Sequence, residues 1–156
     1  MADSIRQQIF DALILRLRTI SVANNYKTVL GSNVYEHKTT AWEASQLPGL
    51  DVQEGDEAVN SQGEWHFFTL TIEINIAVSG TASQQDVRKA IADVTQGVGK
   101  PPSPAANVKF SSLIDRVVPV SISQPDFEQK DNLFGNIQMI FNVFYKTLAF
   151  DPYLQP

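Results

Sequence analysis

With 156 residues, 43% of them apolar and 19% charged, the chain has enough material for one domain with its own core and too little for a second. A formal charge of -5 works against nonspecific nucleic-acid binding, which draws its strength from counterions released by basic residues. The absence of cysteine excludes disulfides, thiolate chemistry, Cys-ligated zinc and iron–sulfur clusters, and fits folding in a reducing cytoplasm.

Met1-Ala2-Asp3-Ser4 leads into a charged amphipathic pattern rather than a secretory segment, and the longest apolar run, Ala12 to Leu15, is far too short to span a bilayer. Ser4 and Gln7 have capping-box spacing, and Ile5, Ile9, Leu13, Leu17 and Ile20 recur at helical intervals. This predicts a helix from Ser4 to Ile20, ended by the Asn24-Asn25 turn, with Arg6, Asp11, Arg16 and Arg18 facing solvent. Tyr26 to Thr39 reads as short extended pieces around Gly31-Ser32-Asn33. Leu47 to Val52 reads as another, which Pro48 confines to an edge or a strand start. Glu54 to Gln62, polar and glycine-containing, is expected to form a hairpin tip or loop.

Trp65 to Val78 carries the strongest strand signal. Phe68, Leu70, Ile72, Ile74, Ile76 and Val78 alternate with Thr69, Thr71, Glu73 and Asn75, which demands one buried and one wetter face. Ser83, with Asp86 three residues on, opens a second helix whose stripe is Val87, Ala90, Ile91, Val94 and Val98. Gly97 and Gly99 are expected to break it. Lys100 to Pro104 is a stiff connector, and Val108 to Asp115 suits a single helical turn. Arg116 to Ser123 is expected to be a strand in which Pro119 marks an edge or bulge. Gln124 to Asn132 is expected to be a loop, and Phe134 to Lys146 a last long strand. The order predicts an α+β domain spanning residues 1–156: an antiparallel or mixed β-sheet with two α-helices packed on one face, plus a β-hairpin extension.

No catalytic constellation emerges from the residues. Gly99-Lys100 fails as a phosphate loop, because Val94 stands where the first glycine belongs and Pro101 where a hydroxyl residue belongs. Gly80-Thr81-Ala82-Ser83-Gln84 lacks the serine position and second glycine of a nucleophile elbow. Asp51, Glu54, Asp56 and Glu57 cluster without the alternating ligand spacing of a calcium loop and read as a solvated turn. His37 and His66 are the only histidines, and surface or packing roles account for both. Trp65, Phe67 and Phe68, like Phe141, Phe144 and Tyr145, lack the interleaved basic residues of a base-stacking platform. No metal and no cofactor are expected.

The ordered pieces themselves are informative. The N-terminal helix runs into Asn24-Asn25-Tyr26-Lys27-Thr28. Leu47-Pro48-Gly49-Leu50-Asp51-Val52 precedes the long strand that ends at Gly80. The second helix carries Arg88-Lys89-Ala90-Ile91-Ala92-Asp93-Val94, and the last strand closes with Phe144-Tyr145-Lys146-Thr147 and then Asp151-Pro152. Over nearly the whole chain this layout resembles the bacteriophage tail-terminator, or tail-completion, family of the minor tail protein U type. The resemblance implies a virion structural protein, assembled in the bacterial host cytoplasm, that forms a ring, usually a hexamer, on the end of the tail tube. Such a ring stops tube polymerisation and presents a joining surface to the head-side connector. The implied partners are the tail-tube protein, the neck protein and further copies of the chain, which is monomeric when free if it rings only on the tube. DNA passes through the channel without specific binding, and no membrane is involved.

Two loops would then order on docking, with Glu54, Asp56 and Glu57 in the first and Asp126, Glu128 and Lys130 in the second as candidate interface residues. Other readings stay open. One is another neck or head-completion (connector-stopper) protein. A second is a small α+β enzyme or ligand-binding domain using His37 or His66, and a third is a soluble α+β domain with a dimer interface. A polar pocket around a histidine would favour the second; a histidine on a convex surface would weigh against it.

Overall fold

The computed structural model describes residues 3–102, 108–127 and 134–155. Helix α1 (Ile5–Leu17) starts where Ser4 accepts a hydrogen bond from the Gln7 backbone N–H at 3.2 Å, satisfying one of the donors that a helix start leaves unpaired. The Gln7 side chain bonds Asp11 instead of reaching back to Ser4, so only half of the expected capping box forms. A single 3-10 turn, Val22–Asn24, follows, and Asn25 closes it in the left-handed region at φ 68°. The stretch expected to be extended yields one short strand, β1 (Val34–Glu36), because Leu30–Ser32 turns the chain first. Gly31 is needed there: a Cβ would lie 2.5 Å from the Arg18 carbonyl oxygen.

Strand β2 (Gly49–Gln62) begins directly after Pro48, as the proline requires, and runs far beyond Val52. Glu54 to Gln62 is therefore strand and not a loop. It pairs antiparallel with β3 (Trp65–Ser79) as far as Gln62 opposite Trp65. The turn is only Gly63-Glu64, with Gly63 at φ +60° in the first position, where a type II′ hairpin turn wants glycine. Helix α2 (Gln84–Gly99) has the complete capping box: the Asp86 N–H donates to Ser83 Oγ at 3.1 Å and the Ser83 N–H to Asp86 Oδ2 at 3.0 Å. Gly97 does not break this helix. It lies inside it, where a Cβ would come within 3.3 Å of Ile20, so the glycine serves close packing against the chain that follows α1.

Helix α3 (Val108–Leu113) precedes β4 (Arg116–Ile122), which bulges between Pro119 and Ser121. The expected loop at Gln124 contains a two-residue strand, β5 (Asp126–Phe127), and its remainder from residue 128 lies outside the described residues. Strand β6 (Phe134–Leu148) completes a six-stranded sheet of order β1-β2-β3-β6-β4, with β5 also beside β6. Among the described residues only β1 and β2 are parallel, so the sheet is mixed, and three α-helices rather than two accompany it.

One face of the sheet is dry. Leu50 and Val52, Leu70 to Val78 at alternate positions, and Ile137 to Tyr145 at alternate positions are buried and join the apolar residues of α1 and α2 and Phe110 of α3 in one cluster. Each fully buried Leu or Ile contributes about 1.5–3 kcal/mol relative to exposure, and this row dominates the stability of the fold. The opposite face carries half-exposed Phe67, Thr71, Glu73, Ile140 and Asn142.

Arg16 departs from expectation. It sits on the buried side of α1, only 4% exposed. Its guanidinium donates to the Val98 carbonyl at 3.1 Å and to Ser111 Oγ at 3.0 Å and lies 5.1 Å from the centre of the Phe110 ring. A long aliphatic stem ending in a forked donor can tie three helices together where a plain apolar residue would leave the Val98 carbonyl unbonded.

Candidate assembly surfaces

The acidic candidates divide. The bulge in β2 sets Glu54 opposite Ile72 and Glu57 opposite Leu70, so three steps on β2 match two on β3. Both carboxylates therefore face the helix side, and Arg6 of α1 meets them there. Arg6 Nη2 and Nε donate to Glu54 Oε2 at 2.6 and 3.0 Å, and Nη1 donates to Glu57 Oε1 at 3.3 Å. The Tyr145 hydroxyl of β6 donates to the other Glu57 oxygen at 2.7 Å, and its ring stacks on Phe68 with centroids 4.8 Å apart. Burial, reinforced by the bond to Glu57 and the charge beside it, pushes the Tyr145 phenol above its ordinary range. For Arg6, burial works against the charged form, but bonding to Glu54 and the charge of Glu57 outweigh it and hold the guanidinium more firmly protonated.

Glu54 and Glu57 thus serve an internal network. Asp51 is buried elsewhere, accepting from the Lys38 N–H at 2.8 Å and from Gln53 at 2.7 Å. Asp56, in the bulge, and Asp126, on β5, are exposed, and these two candidates remain on the surface. Glu128 and Lys130 lie outside the described residues. Sequence reasoning missed Arg6 and Tyr145 as members of the network, because their partners are 48 and 88 residues away in the chain.

The histidines are apart from one another and from this network. His37 is exposed at φ 46° and stacks on Phe10, centroids 5.9 Å apart. His66, at the end of β3 next to the Gly63-Glu64 turn, packs edge-on against Phe68 and Phe150. No group of three or more metal-binding side chains occurs among the described residues, and no described helix is long and apolar enough to cross a membrane. A groove of about 420 Å³ between the Val22–Leu30 turns and α2 is mainly apolar, with Lys27, Asp86 and Lys89 on its lining. It contains no histidine and has no array of polar groups converging on a reacting atom.

What the molecule does expose is surface. Among the described residues, strand β4 has β6 on one side and no strand on the other, and Val118, Val120 and Ile122 along it are exposed. Beside the Gly63-Glu64 turn Phe150 is 93% exposed, with Tyr153 and Leu154 exposed after it. That segment is pinned to the body by the Pro152 carbonyl, which accepts from the Ile5 N–H at 2.8 Å, and by Gln155, which donates to the Leu113 carbonyl at 2.6 Å.

No protein-family model and no curated protein matches the chain. Among solved structures, it is similar to a chain in the virion of a native gene transfer agent (GTA) particle, at 18% identity and a TM-score of 0.45 over 92% of each chain.

Proposed function

We propose that this chain is a virion structural protein: a single-domain tail terminator that caps a phage tail tube as a ring, stops its growth and offers the joining surface to the head-side connector. In this reading it makes and breaks no bond. It is assembled in the host cytoplasm, and its partners are the tail-tube protein, a neck protein and further copies of itself. The ordered layout running from α1 through Leu47-Pro48-Gly49-Leu50 to the last long strand supports the family, as set out above.

The observation that carries the reading is the contrast between inside and outside. Arg6, Glu54, Glu57 and Tyr145 on the helix side are drawn into one network, while the border strand β4 and the apolar segment around Phe150 face solvent. Exposed apolar surface on a sheet border is suited to contact with other chains rather than to turnover of a small molecule. The acidic net charge also suits a channel through which DNA slides without sticking.

A tube-capping assay tests this. The purified protein is mixed with self-assembling tail-tube subunits from the same source, and tube lengths and ends are examined by electron microscopy. Short tubes bearing a ring at one end are expected. Unchanged, undecorated tubes would overturn the terminator role and favour a connector-side neck protein.

A further inference from the structure

We infer that neighbouring copies in the ring are joined by continuation of the sheet, β4 of one copy lying antiparallel against the outer edge of β2 of the next. The inference rests on the ring reading above and adds the contact that closes the ring.

Both borders of the sheet are open at the same height. Strand β1 covers β2 only at Leu50, Asp51 and Val52, with further bonds from the Leu50 N–H to the Asn33 carbonyl and from the His37 N–H to the Val52 carbonyl. From Gln53 to Gln62, β2 has β3 on one side and no described strand on the other. Ala58 is opposite Thr69, Thr69 opposite Phe144, and Phe144 opposite Arg116, so one row crosses the whole sheet from free border to free border. A second row runs from Glu54 through Ile72 and Phe141 to Pro119. The uncovered part of β2 from Gln53 to Ala58 and β4 from Arg116 to Ser121 therefore face outward in opposite directions at one level.

Strand direction agrees as well. Strands β2, β3, β6 and β4 alternate strictly, so β2 and β4 run in opposite senses. Copies related by a rotation that carries the sheet sideways bring β4 antiparallel to the next β2, the pairing that edge backbone groups favour. Such a contact is heterologous, using two different patches, which is the type that generates rings.

The side chains fit the same association. Val118 and Val120 on one border and Val59 on the other are exposed apolar residues that the contact would cover. Arg116 on one border and Asp56 on the other are both exposed, and neither forms an ion pair with a described residue of its own chain. Pro119 and the bulge beside it interrupt β4, so pairing is limited to short stretches on either side. A contact of few backbone bonds is weak alone and strong only when every copy in a closed ring makes it on a template.

The cysteine-free chain permits a direct test. Ala58 and Arg116 end the row of Thr69 and Phe144, and Gln53 and Ser121 end the row of Glu73 and Ile140, both on the face away from the helices. The variants Ala58→Cys/Arg116→Cys and Gln53→Cys/Ser121→Cys would be oxidised with and without tubes, after circular dichroism has shown native folding. Ala58→Cys/Gln85→Cys, which replaces the β4 position by an exposed one on α2, is the control. Covalent oligomers longer than dimers, formed at least tenfold faster from an edge pair than from the control, are expected. Equal yields, or none from either edge pair, would overturn the strand continuation. The same preparations are scored for tube capping. Capping without edge cross-links removes this contact and leaves the terminator reading standing; edge cross-links without capping do the reverse.

Discussion

Glu54 and Glu57 stand three positions apart on one strand, yet their carboxylates reach the same guanidinium, that of Arg6. In a regular strand residues three apart point to opposite faces; the extra residue of the bulge brings these two together. The bulge is thus tied by an ion pair to the start of α1.

Removing Arg6 would leave two part-buried carboxylates side by side with no counter-charge. Arg6→Ala is expected to destabilise the fold by about 1–3 kcal/mol, with Glu57→Gln recovering part of that loss in the Arg6→Ala background. Asp56→Ala, one residue from Glu57, should change stability by no more than about 0.5 kcal/mol because Asp56 faces solvent. Urea denaturation of the set separates the two classes.

Arg16 offers a different test. Arg16→Ala loses two hydrogen bonds and the stem packed over Phe110 and should cost about 2–3 kcal/mol, whereas Arg16→Met retains the packing and should cost less. If it were a solvent-facing residue, both changes would be nearly silent in the same denaturation experiment.

Tyr145 sets an alkaline limit. Its folded-state phenol ionises above the ordinary value of 10.0, which the unfolded chain retains. The associated stability is complete below about pH 10 and is lost as pH rises from there toward the folded-state value. Tyr145→Phe should be less stable than the parent at neutral pH and lose stability less steeply above pH 10. Denaturant midpoints at pH 7, 10 and 11 measure both effects.

At the acid end, bonding to the Ser83 backbone and hydroxyl holds the Asp86 carboxyl below its ordinary 3.8. That contribution is present above the unfolded value and disappears as pH falls through the folded one. Asp86→Asn should therefore be less stable than the parent at pH 7, with the gap closing below about pH 3.8. Helix content followed by circular dichroism across denaturant series reports it.

The long strands were legible because a two-residue alternation maintained from Trp65 to Val78 has no other physical reading, and the same holds for Phe134 to Lys146. Ser83 with Asp86 announced its helix for a similarly local reason. Glu54 to Gln62, expected as a hairpin tip or loop, does belong to a hairpin, but its polar residues hide that it is strand as far as Gln62. A fifteen-residue neighbour holds it in the sheet by backbone pairing, which side-chain composition does not record. Gly63 was the available signal for the true turn. Arg16 was misread because charge was allowed to outweigh its place beside Leu13 and Leu17 on the helix. The acidic residues Asp51, Glu54, Asp56 and Glu57 read as one solvated turn but lie on a strand, and the side on which each carboxylate lies depends on a bulge that shows only once the strands are paired.

The continuous pairing of Trp65–Ser79 with Phe134–Leu148 has a mechanical side. Its hydrogen bonds lie across the strands, so a pull along the strand axis loads the whole ladder in shear, while a pull across it peels the bonds apart one after another. The domain is stiff in one direction and compliant in the perpendicular one, and the direction in which its neighbours tug decides which of the two they feel.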